Sequence, residues 1–126
     1  MNRWGSRVAT RNGNAPDTGD VLWIDFGRPV GREQGGRRPA LVLTSREYNL
    51  ASSVLIVCPI TRTRRNWPFA VALPPLGRLT GFVLVDQIKV IDPTIRAFKR
   101  EGVVPAETML EVRAYLASLL GIAVAR

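Results

Sequence analysis

The sequence predicts a mainly β fold, a small curled β-barrel with short helices that include one helix at the C-terminus. Apolar runs of strand length, rich in β-branched and aromatic residues, recur from Gly19 onwards and are separated by Gly and Pro. Only one segment, residues 105–120, has the apolar period of a full helix. About five to seven short strands that do not alternate with helices favour a barrel over a βαβ fold.

The first half of the chain contains two predicted strands joined by a loop. Asp20–Phe26 is rich in β-branched and aromatic residues, and a Gly-rich loop over residues 27–38 follows it. Pro39 then opens the apolar run Ala40–Leu43, which is typical of a buried strand with proline at its edge. Residues 46–50 are predicted to form a short helical turn.

The second half continues the sheet. Ser53–Thr61 is the most apolar segment and is predicted to be the central strand. Phe69–Leu73 alternates large and small apolar residues, as does a strand with one buried face. Residues 81–90 indicate a further strand or a bent pair of strands, and Val103 and Val104 close the sheet.

A single long helix is predicted over Pro105–Leu120. Proline lies in its first turn, Glu107 lies near the positive end of its dipole, and Gly121 ends it. Five apolar residues share one face, which is expected to face the core or, as the alternative, to bind a partner: Met109, Val112, Leu116, Leu119 and Leu120.

The length of 126 residues fits one domain, and 46% hydrophobic residues suffice for a core without disulfides or metal. We expect a flexible N-terminal tail over residues 1–18, a single domain over residues 19–121 and a short C-terminal tail over residues 122–126.

The chain carries a formal net charge of +8, and Lys89 and Lys99 are its only lysines among 18 basic residues. Arginine binds phosphate through a planar fork and stacks on bases. Nucleic acid is therefore the expected partner, whereas no basic amphipathic helix suggests a membrane.

Cys58 is the only cysteine, and histidine is absent. This composition disfavours zinc and haem sites and catalysis by Cys–His or Ser–His–Asp groups, so no metal and no cofactor are expected. One cysteine forms no internal disulfide, and no apolar stretch approaches 18 residues. The expected location is the cytoplasm, and Cys58 is expected to be an inert core residue.

Glu33, Arg37 and Arg38 lie in the Gly-rich loop that leads into a buried strand. A loop anchored on a rigid strand is a common place for catalytic groups. Judged by composition alone, these three residues more often belong to an ordinary solvated loop with one surface ion pair than to a catalytic site.

Thr61 ends the central strand, where its hydroxyl can donate to a phosphate oxygen or bond its own backbone in a turn. The basic loop that follows offers Arg62, Arg64, Arg65 and Trp67. Guanidinium groups beside an aromatic ring are typical of single-stranded nucleic acid sites. A solvated loop with Trp67 packed inward is the alternative.

Asp86 and Gln87 are predicted to lie inside the apolar strand of residues 81–90, where a charged group needs a partner. Asp86 is expected either to fix a turn through hydrogen bonds or to contact a substrate. The amide of Gln87 both donates and accepts, so it suits the reading of a base edge.

The sequence resembles the MazF/PemK (Kid) family of toxin endoribonucleases. The matching runs occur in family order and cover nearly all of residues 19–121: GDVLWIDF from Gly19, EQGGRRPALVL from Glu33, Tyr48–Asn49, Pro59–Thr61, Trp67–Phe69 and Asp86–Lys89. The Glu-Gln-Gly-Gly-Arg-Arg-Pro-Ala run followed by Pro-Ile-Thr is the most specific part.

The resemblance implies an SH3-like barrel of the MazF/CcdB type that forms a homodimer, with RNA bound along a groove at the dimer interface. It implies metal-independent cleavage of single-stranded RNA at short sequence sites, leaving 2′,3′-cyclic phosphate and 5′-hydroxyl ends. It also implies a MazE-like antitoxin, whose acidic extended segment blocks the groove.

Carried over by position, the resemblance makes Glu33 the catalytic acid or base, Arg38 the catalytic arginine and Thr61 the active-site hydroxyl. RNA contacts are expected from a further eight residues: Arg28, Gln34, Arg37, Arg62, Arg65, Trp67, Asp86 and Gln87. Two alternatives use the same barrel. One is a CcdB-like toxin that binds gyrase without cleaving RNA, and the other is a protein that binds RNA without cutting it.

Overall fold

The computed structural model of the chain describes residues 15–28, 31–32, 35–63, 66–93 and 98–123. Seven strands and two helices lie in these ranges: β1 (Asp20–Asp25), β2 (Arg37–Val42), α1 (Arg46–Ser52), β3 (Leu55–Thr61), β4 (Ala70–Ala72), β5 (Phe82–Leu84), β6 (Lys89–Ile91), β7 (Phe98–Val103) and α2 (Ala106–Leu120). The predicted mainly β fold with a C-terminal helix is confirmed, and residues 81–90 form the bent pair β5 and β6.

The strands form one antiparallel sheet in the order β4-β5-β3-β2-β1-β7, and β6 pairs with the first half of β3. The predicted central strand is therefore confirmed, because β3 pairs with β2, β5 and β6. The pair Val103–Val104 was predicted to close the sheet, and Val103 ends strand β7, which pairs with β1.

Both faces of the central strands are buried, because alternate residues of a strand point to opposite faces. One core lies between the sheet and α2, and it contains Val21, Leu41, Cys58, Ile60, Val71, Val83, Met109 and Val112. The second core lies on the other face, where Leu50 of α1 packs against Leu22, Ile24, Ala40, Val42, Leu55, Val57 and Ile91. Burial on both faces explains the continuous apolar runs of β2 and β3.

The apolar face of α2 reaches the core over only part of its length. Met109 and Val112 are buried and Leu116 packs against the core. Leu119 and Leu120 are exposed, which makes their prediction as core residues wrong. Gly121 ends α2 in the left-handed conformation, as predicted. Neither helix in the described ranges has the length and apolar character that a membrane crossing requires.

The last residues of the predicted N-terminal tail contact α1. Arg46 donates from Nε to the carbonyl oxygen of Ala15, and Asn49 donates from Nδ2 to that of Pro16, both at 2.9 Å. Asp17 accepts the backbone N–H of Arg46 at 2.9 Å. The packed part of the chain thus begins before Gly19, while residues 1–14 of that tail lie outside the described ranges.

Candidate active site

The start of β2 and the end of β3 lie side by side because these strands are antiparallel. Their register pairs Ala40 with Pro59, and continuing it by two residues places Arg38 opposite Thr61. An open cleft of about 400 Å³, here called the arginine cleft, lies at this place and is lined by Trp23, Arg37, Arg38, Pro39, Ile60, Thr61, Arg62 and Thr63. The two described residues of the predicted catalytic set therefore line one cleft.

Arg38 is half-buried and is held by the loop before β2. Its Nε donates to the carbonyl oxygen of Gly35 at 2.9 Å. The loop is itself closed by two backbone bonds, from Gly36 N to Gly27 O at 2.6 Å and from Phe26 N to Gly36 O at 2.9 Å. A fixed Nε directs the rest of the planar guanidinium group, which favours a defined geometry toward an anion.

Thr61 is 5% exposed and ends β3 at the cleft. Its Oγ1 accepts the backbone N–H of Thr63 at 3.3 Å, so the turn-forming role considered for this residue is present. The same hydroxyl keeps its own hydrogen as a donor. Thr61 can therefore stabilise the turn and donate to a ligand in the cleft.

The arginine cleft suits an anion. Three of its lining residues are arginines, Arg37, Arg38 and Arg62, and none of the described lining residues is acidic. Trp23 adds an indole ring whose Nε1 donates to Glu101 at 2.9 Å. Cationic forks beside an aromatic ring are the groups that bind phosphate and stack on bases.

A second cleft of about 190 Å³, here called the tryptophan cleft, is lined by Arg32, Trp67, Leu84, Asp86 and Gln87. The Trp67 Nε1 donates to Oδ2 of Asp86 at 3.0 Å, and its ring is tilted against Phe69 with centroids 6.2 Å apart. Trp67 remains 47% exposed. The alternative of an inward-packed Trp67 is therefore wrong, and the ring is held in place while one part of it meets solvent.

Asp86 and Gln87 lie in the turn between β5 and β6, which corrects their prediction inside a strand. The backbone N–H of Gln87 bonds to the carbonyl oxygen of Leu84 at 3.1 Å. Asp86 is exposed, and Trp67 supplies its hydrogen-bond partner. Both side chains line the tryptophan cleft, so the turn presents them together.

Cys58 is a buried thiol, as predicted for an inert core residue. Its Sγ donates to the carbonyl oxygen of Val85 at 3.7 Å. Burial, with a smaller contribution from the charge of Asp86, raises the pKa of Cys58 to about 12. The nucleophilic thiolate is therefore scarce near neutral pH.

Four of the residues predicted for the site are not among the described lining residues of either cleft. Glu33, Gln34 and Arg65 lie outside the described residues. Arg28 is exposed and lines neither cleft. Sequence reasoning assigned no role to Trp23 or Arg32. Arg32 could have been predicted from the sequence, because it adjoins Glu33 in the Gly-rich loop. Trp23 could not, because it reaches its cleft only through the pairing of β1 with β2.

The fold places the chain in a known structural class. The crystal structure of MazF from Deinococcus radiodurans has a TM-score of 0.80 and 40% identity, covering 86% of this chain and 98% of that one. A MazE–MazF complex from the same organism gives a TM-score of 0.75 and 37% identity, covering 86% of this chain and 98% of that chain.

Sequence comparison then defines the family. The model that describes the PemK-like, MazF-like toxin of type II toxin–antitoxin systems matches residues 17–120. The endoribonuclease toxin MazF of Escherichia coli strain K12 is 36% identical over 106 residues, which are 84% of this chain and 95% of that protein. This chain belongs to the PemK-like, MazF-like toxins of type II toxin–antitoxin systems, and the resemblance found in the sequence is confirmed.

Proposed function

We propose that this toxin is an endoribonuclease that cleaves single-stranded RNA at short sequence sites without a metal ion and thereby inhibits translation and growth. The arginine cleft is the observation that carries the proposal, because Arg38 and Thr61 line it together with two further arginines. The similar toxin from Escherichia coli is named an endoribonuclease, which supports the same activity here.

The reaction begins with attack of a ribose 2′-oxygen on the adjacent phosphorus. The new 2′-O–P bond forms while the P–O5′ bond breaks, which leaves a 2′,3′-cyclic phosphate and a 5′-hydroxyl. Glu33 takes the proton of the 2′-hydroxyl, and the leaving 5′-oxygen takes up a proton from Glu33, Arg37 or water. DNA lacks the nucleophile, so it is bound without being cut.

Arg38 and Thr61 act on the charge that develops on the phosphorane. The guanidinium group and the hydroxyl donate to the non-bridging oxygens, where preorganised donors are most effective. Arginine stays protonated near neutral pH, so Arg38 stabilises charge and Glu33 moves the proton. Arg28, Gln34, Arg37, Arg62, Arg65, Trp67, Asp86 and Gln87 complete the proposed RNA-binding set.

Three further properties belong to the proposal. Apolar side chains on the described surface, Val90, Val103 and Leu120 among them, favour a homodimer, which light scattering on purified protein tests. The net charge of +8 favours a partner with an acidic segment. The similar MazE–MazF complex supports a MazE-like antitoxin as that partner. The cytoplasm is the proposed location, because it contains the mRNA substrate.

The deciding experiment mixes the purified chain with mixed-sequence single-stranded RNA in EDTA, with DNA of the same sequence in parallel. Discrete RNA cuts with cyclic phosphate ends and intact DNA are expected. Glu33→Gln is expected to remove these cuts, and Thr61→Ala to slow them about 100- to 1000-fold, without unfolding the protein. Folded, antitoxin-free protein that cuts none of several varied RNAs would contradict the proposal, and would favour the CcdB-like toxin that acts by binding gyrase.

A further inference from the structure

Gly81 lies directly before β5, at the point where three strands meet. The first residue of β5, Phe82, pairs with Thr61 of β3 on one side and with Ala72 of β4 on the other. The carbonyl oxygen of Gly81 accepts the backbone N–H of Leu73 at 2.8 Å. The backbone at position 81 is therefore held between the end of β4 and the residue that ends β3 at the arginine cleft.

No side chain fits at this position. A Cβ at residue 81 would lie 2.3 Å from the carbonyl oxygen and 3.0 Å from the carbonyl carbon of Thr61. Both contacts are with backbone atoms, which cannot rotate away as the end of a side chain can. Gly81 also has φ +146°, a conformation that L side chains rarely adopt.

We infer that Gly81 is a positioning residue for the cleavage reaction, because its close approach to the Thr61 backbone sets where the Thr61 hydroxyl lies in the arginine cleft. The inference rests on the proposed ribonuclease function. Gly81 does not line the cleft, so it acts through Thr61 and not on the RNA.

The distance by which the two backbones must separate determines the expected loss of cleavage rate. A Cβ contact of at least 3.0 Å requires residue 81 and the Thr61 carbonyl to move apart by about 0.7 Å or more, since the present distance would be 2.3 Å. A misplacement on the order of 1 Å in a catalytic site can cost about 100-fold in rate. Gly81→Ala is therefore expected to slow the chemical step about 10- to 100-fold.

Gly77 supplies a matched control in the loop that leads to Gly81. It also has a left-handed backbone, with φ +58°, but a Cβ at this position meets nothing within 4 Å. Gly77→Ala thus introduces backbone strain and one methyl group without the contact to Thr61. The difference between the two variants isolates the close approach.

Single-turnover cleavage rates are measured for the wild type, Gly81→Ala, Gly77→Ala, Thr61→Ala and the double variant Gly81→Ala/Thr61→Ala. RNA affinity is measured separately, with an oligonucleotide that carries a 2′-deoxy nucleotide at the cut site. Gly81→Ala is expected to lose rate while its Kd stays within about threefold of wild type, and Gly77→Ala to keep both values. The double variant is expected to cleave no more slowly than Thr61→Ala, because a residue that acts through Thr61 adds nothing once that hydroxyl is gone.

Folded Gly81→Ala with a cleavage rate within threefold of wild type would overturn the inference, as would independent losses that multiply in the double variant. Amide chemical shifts of Gly81→Ala provide a readout that needs no activity. Apart from the residues next to the substitution, changes confined to residues 60–63 and 73 are expected. Changes spread through α2, or a chain that does not fold, would make Gly81 a residue for general stability. A wild-type chain that cuts no RNA refutes the proposed function itself, so the two failures are distinct.

Discussion

At the scale of single residues, Arg38 shows how a side chain becomes specific for an anion before any ligand arrives. Its Nε is engaged by Gly35 at 2.9 Å, so the terminal nitrogens of the guanidinium group have a restricted direction. Lysine has no group at that place and carries its charge on a flexible stem. The geometry of the arginine, in addition to its charge, is therefore expected to matter.

Arg38→Ala and Arg38→Lys are both expected to lower the cleavage rate about 100- to 1000-fold, the usual cost of losing one donor to a developing oxyanion. Rates under single-turnover conditions test this, with circular dichroism to verify folding. Arg113→Ala removes one exposed charge from α2, outside the arginine cleft, and should cleave at the wild-type rate. Full activity of Arg38→Lys would show that charge alone suffices.

Trp67 makes a separate contribution at the tryptophan cleft. Its ring is fixed by Asp86 and partly exposed, which suits stacking on an unpaired base. Trp67→Ala is expected to weaken binding of the 2′-deoxy analogue by about 1–3 kcal/mol, the range for one stacked base. Tyr48→Ala, at an aromatic residue of similar exposure on α1, serves as the control, and an equal loss there would refute a specific stacking role.

At the scale of elements, the loops gain their positions from neighbouring strands and helices. The loop after β3 contributes Arg62 to the arginine cleft and Trp67 to the tryptophan cleft. Helix α1 anchors the segment before β1 through Asn49, which is fully buried. Asn49 donates to the carbonyl oxygens of Pro16 and Thr44 and accepts from the Thr44 hydroxyl.

Asn49→Leu is expected to lower the free energy of unfolding by about 1–3 kcal/mol for each polar group that stays buried without a partner. Thermal and denaturant unfolding measure the loss. Asn66→Leu, at an exposed position of the basic loop, is the matched control and should unfold within about 0.5 kcal/mol of wild type. Equal stability of the Asn49 variant would show that the segment at residues 15–18 is held by other contacts.

At the scale of the whole molecule, the net positive charge attracts RNA at long range, before the RNA contacts the clefts. The net charge of +8 favours association with any polyanion, while the clefts provide the geometry that distinguishes one ligand from another. Binding should therefore weaken as the salt concentration rises, because each phosphate contact releases counterions.

A plot of log K against log salt concentration for the 2′-deoxy analogue is expected to be linear. Arg37→Ala and Arg62→Ala should each reduce its slope by about 0.7, the value for one contact with a single-stranded phosphate. The Arg113→Ala protein should keep the wild-type slope. Unchanged slopes for both cleft variants would place the phosphate backbone elsewhere on the surface.

The local sequence pattern was sufficient to predict most of the strands, the helix α2 and the family of this protein. Strand propensity located the strands, and helical spacing together with Pro105 and Gly121 located α2. The Glu-Gln-Gly-Gly-Arg-Arg-Pro-Ala run, taken together with the later Pro-Ile-Thr run, was specific enough to indicate a resemblance to the family. These properties depend on residues that are neighbours in the chain.

The tertiary structure decided which distant residues meet. The β2–β3 register brings Arg38 toward Thr61, and the turn after β5 brings Asp86 to Trp67, neither of which follows from spacing along the chain. Helical periodicity likewise included Leu120 in the core face of α2, although this residue lies at the end of the helix and is 59% exposed. Gly81 gives the clearest case, since the sequence predicted it only as the first residue of the strand segment 81–90. The need for glycine there arises from the Thr61 carbonyl, 20 residues earlier in the chain, which occupies the space where a Cβ would lie.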